Sequence, residues 1–346
     1  MLEAIARFKY NEYQQYSPGI QFIESLVKWL SQFEKMEERT IAYDFVKERL
    51  IFLSSDQISH LISIAFTEKI NPLLINKTAA ETQLNPFHIR RIINTQEYKN
   101  NLRKSLFIGM SDGSKIDLLR RTSNIDNEQV LTTYFISNTK QVELLKDLQE
   151  ACPNSKFTSI FLVDDFTASG KSFFRKENGA NKGKVFKFLS SLFFPGQAAT
   201  NNNSTNQDLS ELFDLANLEV NILFYAASTY AIQTINQAIQ EWKAEKNLSF
   251  SHHIMAIQEF DDTIKQGVID STFYPLLELY FDKRIMDEHY ERGQHDKPWL
   301  GFHECGLPLV LFHNTPNNSL PILWLPEDKD PKKFVGLFPR VTRHKE

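Results

Sequence analysis

Cysteine is almost absent from this chain. Only Cys152 and Cys305 occur, far apart and outside any metal-ligand spacing, which argues against a disulfide framework and against a zinc site. Long apolar runs are missing as well. None approaches the roughly 18 residues needed to span a bilayer, and residues 1–10 lack the charged-then-apolar order of a secretory signal. No membrane partner is expected, and the expected compartment is cytoplasmic. A strong charge of one sign is also lacking: the formal net charge of −4 gives no global attraction to nucleic acid or to anionic lipid. Arg90 and Arg91 beside Asn85-Pro86 would suit a helix-turn-helix, but the region around them has no basic bias, so direct DNA binding is not expected. Phenylalanine, by contrast, is abundant. Its 28 copies among 346 residues predict an aromatic core, in a chain long enough for one large domain or two modest ones.

Apolar spacing predicts helices over the first hundred residues. Ile23, Leu26, Val27, Leu30 and Phe33 form one stripe after the capping pair Ser17-Pro18. Ala42, Phe45 and Val46 begin another. Ile58, Leu61, Ile62, Ala65 and Phe66 follow the caps Ser55 and Asp56, and Ile89, Ile92 and Ile93 follow Pro86. No strand-like alternation is visible before about residue 104. Beyond it, short apolar runs at 106–110, 130–136, 159–163, 220–226 and 254–257 read as buried strands. Helical patterns lie at 115–121, 139–150, 170–194 and 229–244. This alternation predicts an α/β protein, a parallel sheet with helices on both faces plus an N-terminal helical domain. The expected domains are residues 1–100 and residues 101–346, the second with a flexible insertion near 195–210.

One segment carries chemistry. The strand 159–163 ends in Asp164 and Asp165, followed by Phe166 and the small, hydroxyl-rich run Thr167-Ala168-Ser169-Gly170-Lys171-Ser172. A loop that enters a helix presents unpaired N–H groups and the positive end of the helix dipole, so a phosphate is welcome there. Small residues let the backbone approach the anion, and the hydroxyls of Thr167, Ser169 and Ser172 can donate to it. Two carboxylates at a strand end suit a ribose diol, each accepting from one hydroxyl. Ligands of open parallel sheets bind at this end of the strands. Gly170-Lys171-Ser172 also ends like a nucleoside-triphosphate P-loop, but that motif needs a glycine where this chain has Asp165, and an acid there would repel phosphate. An earlier strand leads into Ser111-Asp112-Gly113-Ser114-Lys115, which is either a second anion loop or an ordinary Asp-Gly turn. The paired His252-His253 reads as structural. The cations Arg175, Lys176, Lys182, Lys184 and Lys187 read first as a solvated face.

The run Val163 to Ser172 resembles the phosphoribosyl-pyrophosphate motif of type I phosphoribosyltransferases. The resemblance implies a type I phosphoribosyltransferase-like fold in which Asp164 and Asp165 hold the ribose hydroxyls and Thr167 to Ser172 cradle the 5′-phosphate. It also implies pyrophosphate contacts from Ser111, Asp112, Gly113, Ser114 and Lys115, with help from Arg120 or Arg121, and Mg2+ riding on the diphosphate. Some hypoxanthine-type members carry a catalytic Asp where this chain has Ala168, which puts that kind of purine salvage in doubt. Together with the N-terminal helices and the stretch Cys305 to Trp324, the motif is similar to the PRTase-CE group of prokaryotic conflict systems. In that stretch Asn314, Asn317 and Asn318 are candidates for reading a base, or they form an Asn-rich turn that only covers the sheet. The group implies an effector in anti-phage defence that acts with an ATPase or with a retron, its reverse transcriptase and DNA/RNA. Phosphoribosyl pyrophosphate or a nucleotide would be the ligand. A non-catalytic regulator that keeps the pocket, or a toxin subunit docked through residues 1–100, remain alternatives.

Overall fold

A computed structural model describes residues 2–195, 208–286, 288–291, 296–326 and 333–340. The chain divides into two compact units, Ser59–Phe260 and a second made of Met1–Ile58 with Asp261–Glu346. These bounds differ from a break at residue 100. The helices Asn71–Thr82 and Gln96–Arg103 join the sheet unit, where the Lys77 ammonium pairs with Glu219 at 3.2 Å and the Asn101 amide donates to Thr78.

The sheet unit is built from five parallel strands. In chain order its elements are β1 (Ser105–Gly109), α1 (Ile116–Arg121), β2 (Val130–Leu131), α2 (Asn138–Ala151), β3 (Ser159–Thr167), α3 (Lys184–Phe193), β4 (Glu219–Ser228), α4 (Thr229–Lys246) and β5 (Ser251–Phe260). The strands lie in the order β2-β1-β3-β4-β5. One face carries Leu106, Ile108, Ile160, Leu162, Val220, Ile222 and Phe224, packed with Leu144 and Leu148 of α2, Val185 and Phe188 of α3, and Ile235, Ile239 and Trp242 of α4. On the opposite face Phe107 stacks on Phe161 at 4.8 Å, and Val163, Leu223 and Tyr225 are buried. Burial on both faces explains why these strands read as continuous apolar runs without alternation. Connections leave β1 and β3 in opposite directions along the sheet, and ligands of open parallel sheets bind at the C-terminal ends of strands at such a point.

The other unit closes around a two-stranded parallel pair, Ile51–Leu53 with Leu309–Leu311. Around it pack Tyr10, Phe22, Phe52 and Phe338, and the Trp29 indole donates to Ile322 O at 3.0 Å. The abundance of Phe is therefore spent on two separate cores.

Four expectations need correction. A strand does precede residue 104: Ile51–Leu53 is too short to show alternation, and its partner lies near the other end of the chain. The strand expected over 130–136 shrinks to Val130–Leu131, because β1 offers it a register only at Phe107 and Ile108. The stripe after Pro18 begins its helix at Phe22, behind Gln21 instead of Ser17. Most important, residues 170–194 are not one helix. Gly170 and Gly183 have φ of +71° and +119°, values a right-handed helix cannot hold. Between them the chain makes an antiparallel hairpin, Arg175–Glu177 with Ala180–Lys182, turning at Asn178-Gly179, both at positive φ as tight hairpin turns require. The greater part of the expected insertion, residues 196–207, lies outside the described residues. No described helix is long and apolar enough to cross a membrane.

Candidate functional site

Two adjacent acids stand where β3 runs out of the core. The strand is buried through Asp164, itself only 2 % exposed, while Asp165 is partly exposed. A buried carboxylate must be paired or hydrogen-bonded, and Asp164 is both. Its Oδ1 accepts from the Ser111 hydroxyl and from the Asp165 amide at 3.1 Å. Its Oδ2 meets the Lys184 ammonium at 3.0 Å. Asp165 Oδ1 accepts from the Phe166 amide at 2.8 Å. Burial, with the charge of Asp164 adding to it, pushes the Asp165 carboxyl up to about 7, against the opposing pull of the Phe166 amide and Lys184.

The loop after β1 reaches the same place. Residues Asp112–Ser114 form one tight turn seated on Asp165: a Cβ added to Gly113 would stand 2.5 Å from Asp165 Oδ2. Ser114 is buried, and its carbonyl accepts from the Tyr225 hydroxyl of β4 at 2.7 Å. Burial raises the Tyr225 phenol far above its ordinary value, with Asp165, Asp164 and Asp117 adding to the effect. Tyr225 therefore serves the site as a neutral donor that fixes the turn. Lys115 follows in the left-handed region, at φ +41°. Arg120 and Arg121 sit on α1, and Arg121 is 3.9 Å from Asp117.

After the acids, residues 168–174 form turns and no helix, so the helix-dipole argument for this loop falls. Its amides are served locally. Gly170 N–H donates to Thr167 Oγ1 at 3.2 Å and Lys171 N–H to Ser169 Oγ at 3.4 Å. Those hydroxyls accept from the backbone and each keeps a proton of its own to donate. Gly170 is required twice over: beyond its positive φ, a Cβ there would come within 2.9 Å of Ala231 O and of the Ile235 side chain. Ser228 ties the loop to α4, donating to Ala168 O at 2.5 Å while capping Ala231 N at 2.9 Å. Phe173 and Phe174 then plunge into the core, Phe173 edge-on to Phe224 at 4.8 Å.

The hairpin returns the chain to the site. Ser172 is exposed, and its carbonyl accepts from Lys184 N–H at 3.0 Å. Gly183 lies so close to Phe173 O that a Cβ would be 2.2 Å away. Lys184 thus opens α3 directly beside the acids, its ammonium 5.1 Å from the centre of the Phe173 ring. Of the other cations in this run, Arg175 and Lys182 pair with Glu177 at 2.8 and 2.9 Å, and Lys176 pairs with Glu245.

The structure therefore gathers Ser111, Gly113, Asp164, Asp165 and the 167–172 turn at one end of the sheet. Asn314, Asn317 and Asn318 belong to the other unit. There Asn314 Oδ1 accepts from Thr315 N–H at 3.0 Å, the Asn318 amide donates to Phe302 O at 2.9 Å, and Asn317 O accepts from Phe302 N–H. His252 contacts Asn236 at 3.0 Å, and burial, aided by Lys243, lowers its imidazole to about 4. Sequence reasoning missed three contributors. Lys184 was hidden in a run of cations beyond an unrecognised hairpin. Tyr225 gave no signal inside an apolar strand. Ser228 could have been found, since a serine directly before a long helical pattern is a cap.

Acids at the end of a central parallel strand, a hydroxyl-rich turn after them and a second loop from the neighbouring strand define a phosphoribosyltransferase-like protein. The family model PRTase-CE matches residues 26–340, nearly the whole chain. The protein belongs to the PRTase-CE family. No curated protein and no solved structure matches it.

Proposed function

We propose that this protein binds a phosphorylated ribose donor, phosphoribosyl pyrophosphate or a nucleotide, and displaces or hydrolyses the substituent at the anomeric carbon. The observation that carries the reading is the convergence of Asp164, Asp165 and Ser111 at the sheet end where the strand connections diverge. The acids orient the sugar hydroxyls. The Thr167 and Ser169 hydroxyls and the exposed Ser172 face the 5′-phosphate, and the Ser111–Lys115 turn faces the diphosphate. With phosphoribosyl pyrophosphate the bond from C1 to the leaving oxygen breaks and its electron pair departs with the diphosphate; with a nucleotide the bond from C1 to the base nitrogen breaks and the pair departs with the base, which takes up a proton. The acceptor oxygen or nitrogen, or water, then bonds to C1 and loses its proton. Positioning and charge stabilisation supply most of the catalysis. Among the described residues no three His, Cys, Asp or Glu side chains converge on a metal position. Mg2+ enters this reading as the counter-ion of the donor's diphosphate.

Release of pyrophosphate from phosphoribosyl pyrophosphate with magnesium tests the reading. The Asp164→Asn plus Asp165→Asn variant, folded by circular dichroism, should lose it by about a hundredfold or more. Residual activity within a few-fold of wild type would sink the assignment of the acids. A regulator that binds without turnover is the second reading. It is favoured by Ala168, buried and bonded through its carbonyl to Ser228, where some relatives place a catalytic acid. Tight donor binding with no turnover across bases, nucleotides and water would select it. Action in anti-phage defence, alongside an ATPase or a retron, is the biological setting we propose for either form. Deleting the gene from a phage-resistant host tests that setting.

A further inference from the structure

The five-stranded sheet has two unlike edges. At one side β2 is only 2 residues long, whereas β5 at the other runs for 10. Among the described residues β5 pairs with β4 alone, and no loop or turn exchanges a backbone bond with residues 252–259. A long open edge is a template for another strand, and chains that avoid such pairing blunt it with lysine, proline, a bulge or a short edge. β5 uses none of these devices. It contains neither lysine nor proline, and its register with β4 advances residue for residue from Glu219 and Ser251 to Ser228 and Phe260. The two faces of the strand differ. Ile254 and Ala256 pack into the core shared with α4, and His252 meets Asn236 of that helix at 3.0 Å. The alternate residues lie on the other face, where His253 and Glu259 are exposed and Met255 and Ile257 are half-buried between them.

We propose that β5 is a self-association edge: the β5 of a second copy of this chain adds antiparallel to it, with Ala256 facing its own counterpart, and joins the two sheets into one. Symmetry selects that register. A two-fold axis normal to the sheet keeps every residue on its own face, and directly opposed residues share a face, so even positions meet even and odd meet odd. Centring on Ala256 sets His253 opposite Glu259 and Met255 opposite Ile257, each pair formed twice. Every imidazole then meets a carboxylate, with the apolar pairs between them, the arrangement that stabilises cross-strand neighbours. Centring on Met255 instead sets His253 against Ile257 and Glu259 against Ser251. Centring on Ile257 sets Glu259 against Met255. Both leave the carboxylate without a cation. The joined strands run in opposite directions, so the two acid pairs lie toward opposite ends of the joined sheet and neither copy completes the other's site.

Sedimentation equilibrium of the full-length chain from about 1 to about 100 μM, the range of a modest interface, should show a dimer at the upper end. Glu259→Lys sets a lysine against His253 and should weaken the dimer about tenfold. Adding His253→Glu reverses the pair and should restore it. Ala256→Cys should form a disulfide-linked dimer on mild oxidation, because directly opposed residues lie within disulfide reach, while wild type, with Cys152 and Cys305, should not. If Ala256→Cys fails to fold, His253→Cys with Glu259→Cys is read in its place; six residues of strand hold those two thiols about 20 Å apart within one chain, so they can link only between copies. A chain that stays monomeric at the highest concentration overturns the proposal. So does a dimer that Glu259→Lys leaves intact, or one in which His253→Glu brings no rescue and the cysteine variants no link.

Discussion

Two loops leave neighbouring strands and meet over the same acids, yet they are built by opposite means. The loop after β3 carries its chemistry in its side chains: two carboxylates, the Thr167 and Ser169 hydroxyls, and Phe173 and Phe174 as anchors. The loop after β1 acts mostly through its backbone, with Gly113 against Asp165, Ser114 O against Tyr225, and a single hydroxyl from Ser111 on Asp164. The first kind of loop is visible as a string of residue types. The second is visible only once its position is known. The comparison also separates glycines that hold the architecture from a glycine that shapes the site.

The largest expected effect is at Gly183, which closes the β3 loop. Gly183→Ala places a Cβ 2.2 Å from the Phe173 carbonyl at φ +119°, and should cost about 3 kcal/mol or more in denaturant unfolding. Gly170→Ala should cost about 2 kcal/mol by the same measurement, since it adds strain at positive φ and crowds Ala231 O. Gly113→Ala sharpens the contrast. Its Cβ would meet a carboxylate able to move, so stability should fall by under about 1 kcal/mol while affinity for phosphoribosyl pyrophosphate drops about tenfold. Should Gly113→Ala unfold the protein and Gly170→Ala spare it, the distinction between the loops is wrong. Ser111→Ala removes a donor to a buried carboxylate and should weaken the ligand by roughly five- to tenfold in calorimetry.

The same acids also make stability depend on pH. The Asp165 carboxyl lies above its ordinary value, up to about 7, so the folded protein holds a proton that the unfolded chain has released. Stability from this group therefore falls as pH rises from about 4 to about 7 and is level above that. Asp165→Asn mimics the protonated form, so its melting temperature should gain on wild type through that window. Glu177 acts in the opposite sense. Bonds from Lys182 and Arg175 hold it down to about 2, so its stabilisation is present above the ordinary carboxylate range and is lost as pH falls toward 2. The pair is on the surface and the effect is small. A melting-temperature gap for Asp165→Asn that stays flat with pH would contradict the burial of that acid.

Much of the sheet was legible because its central strands β1, β3 and β4 are buried on both faces and stand out as short apolar runs between helical patterns. Asp164 to Ser172 was legible because the acids and hydroxyls are consecutive. The helix expected at 170–194 was illegible as a hairpin, since Phe173, Phe174, Val185 and Phe188 all face the core and mimic a continuous helical stripe across the interruption. The pairing of Ile51–Leu53 with Leu309–Leu311 had no local signature at all.

By itself the sequence determined the strand-and-helix alternation, the pair of acids at a strand end and the small-residue turn behind them, because burial pattern and residue type are local properties. Tertiary structure alone decided that Lys184 faces Asp164, that Gly113 lies on Asp165 and that residues 1–58 join the tail from 261. Those contacts depend on backbone reversals at positive φ and on pairings between distant segments, which side-chain order along the chain does not encode.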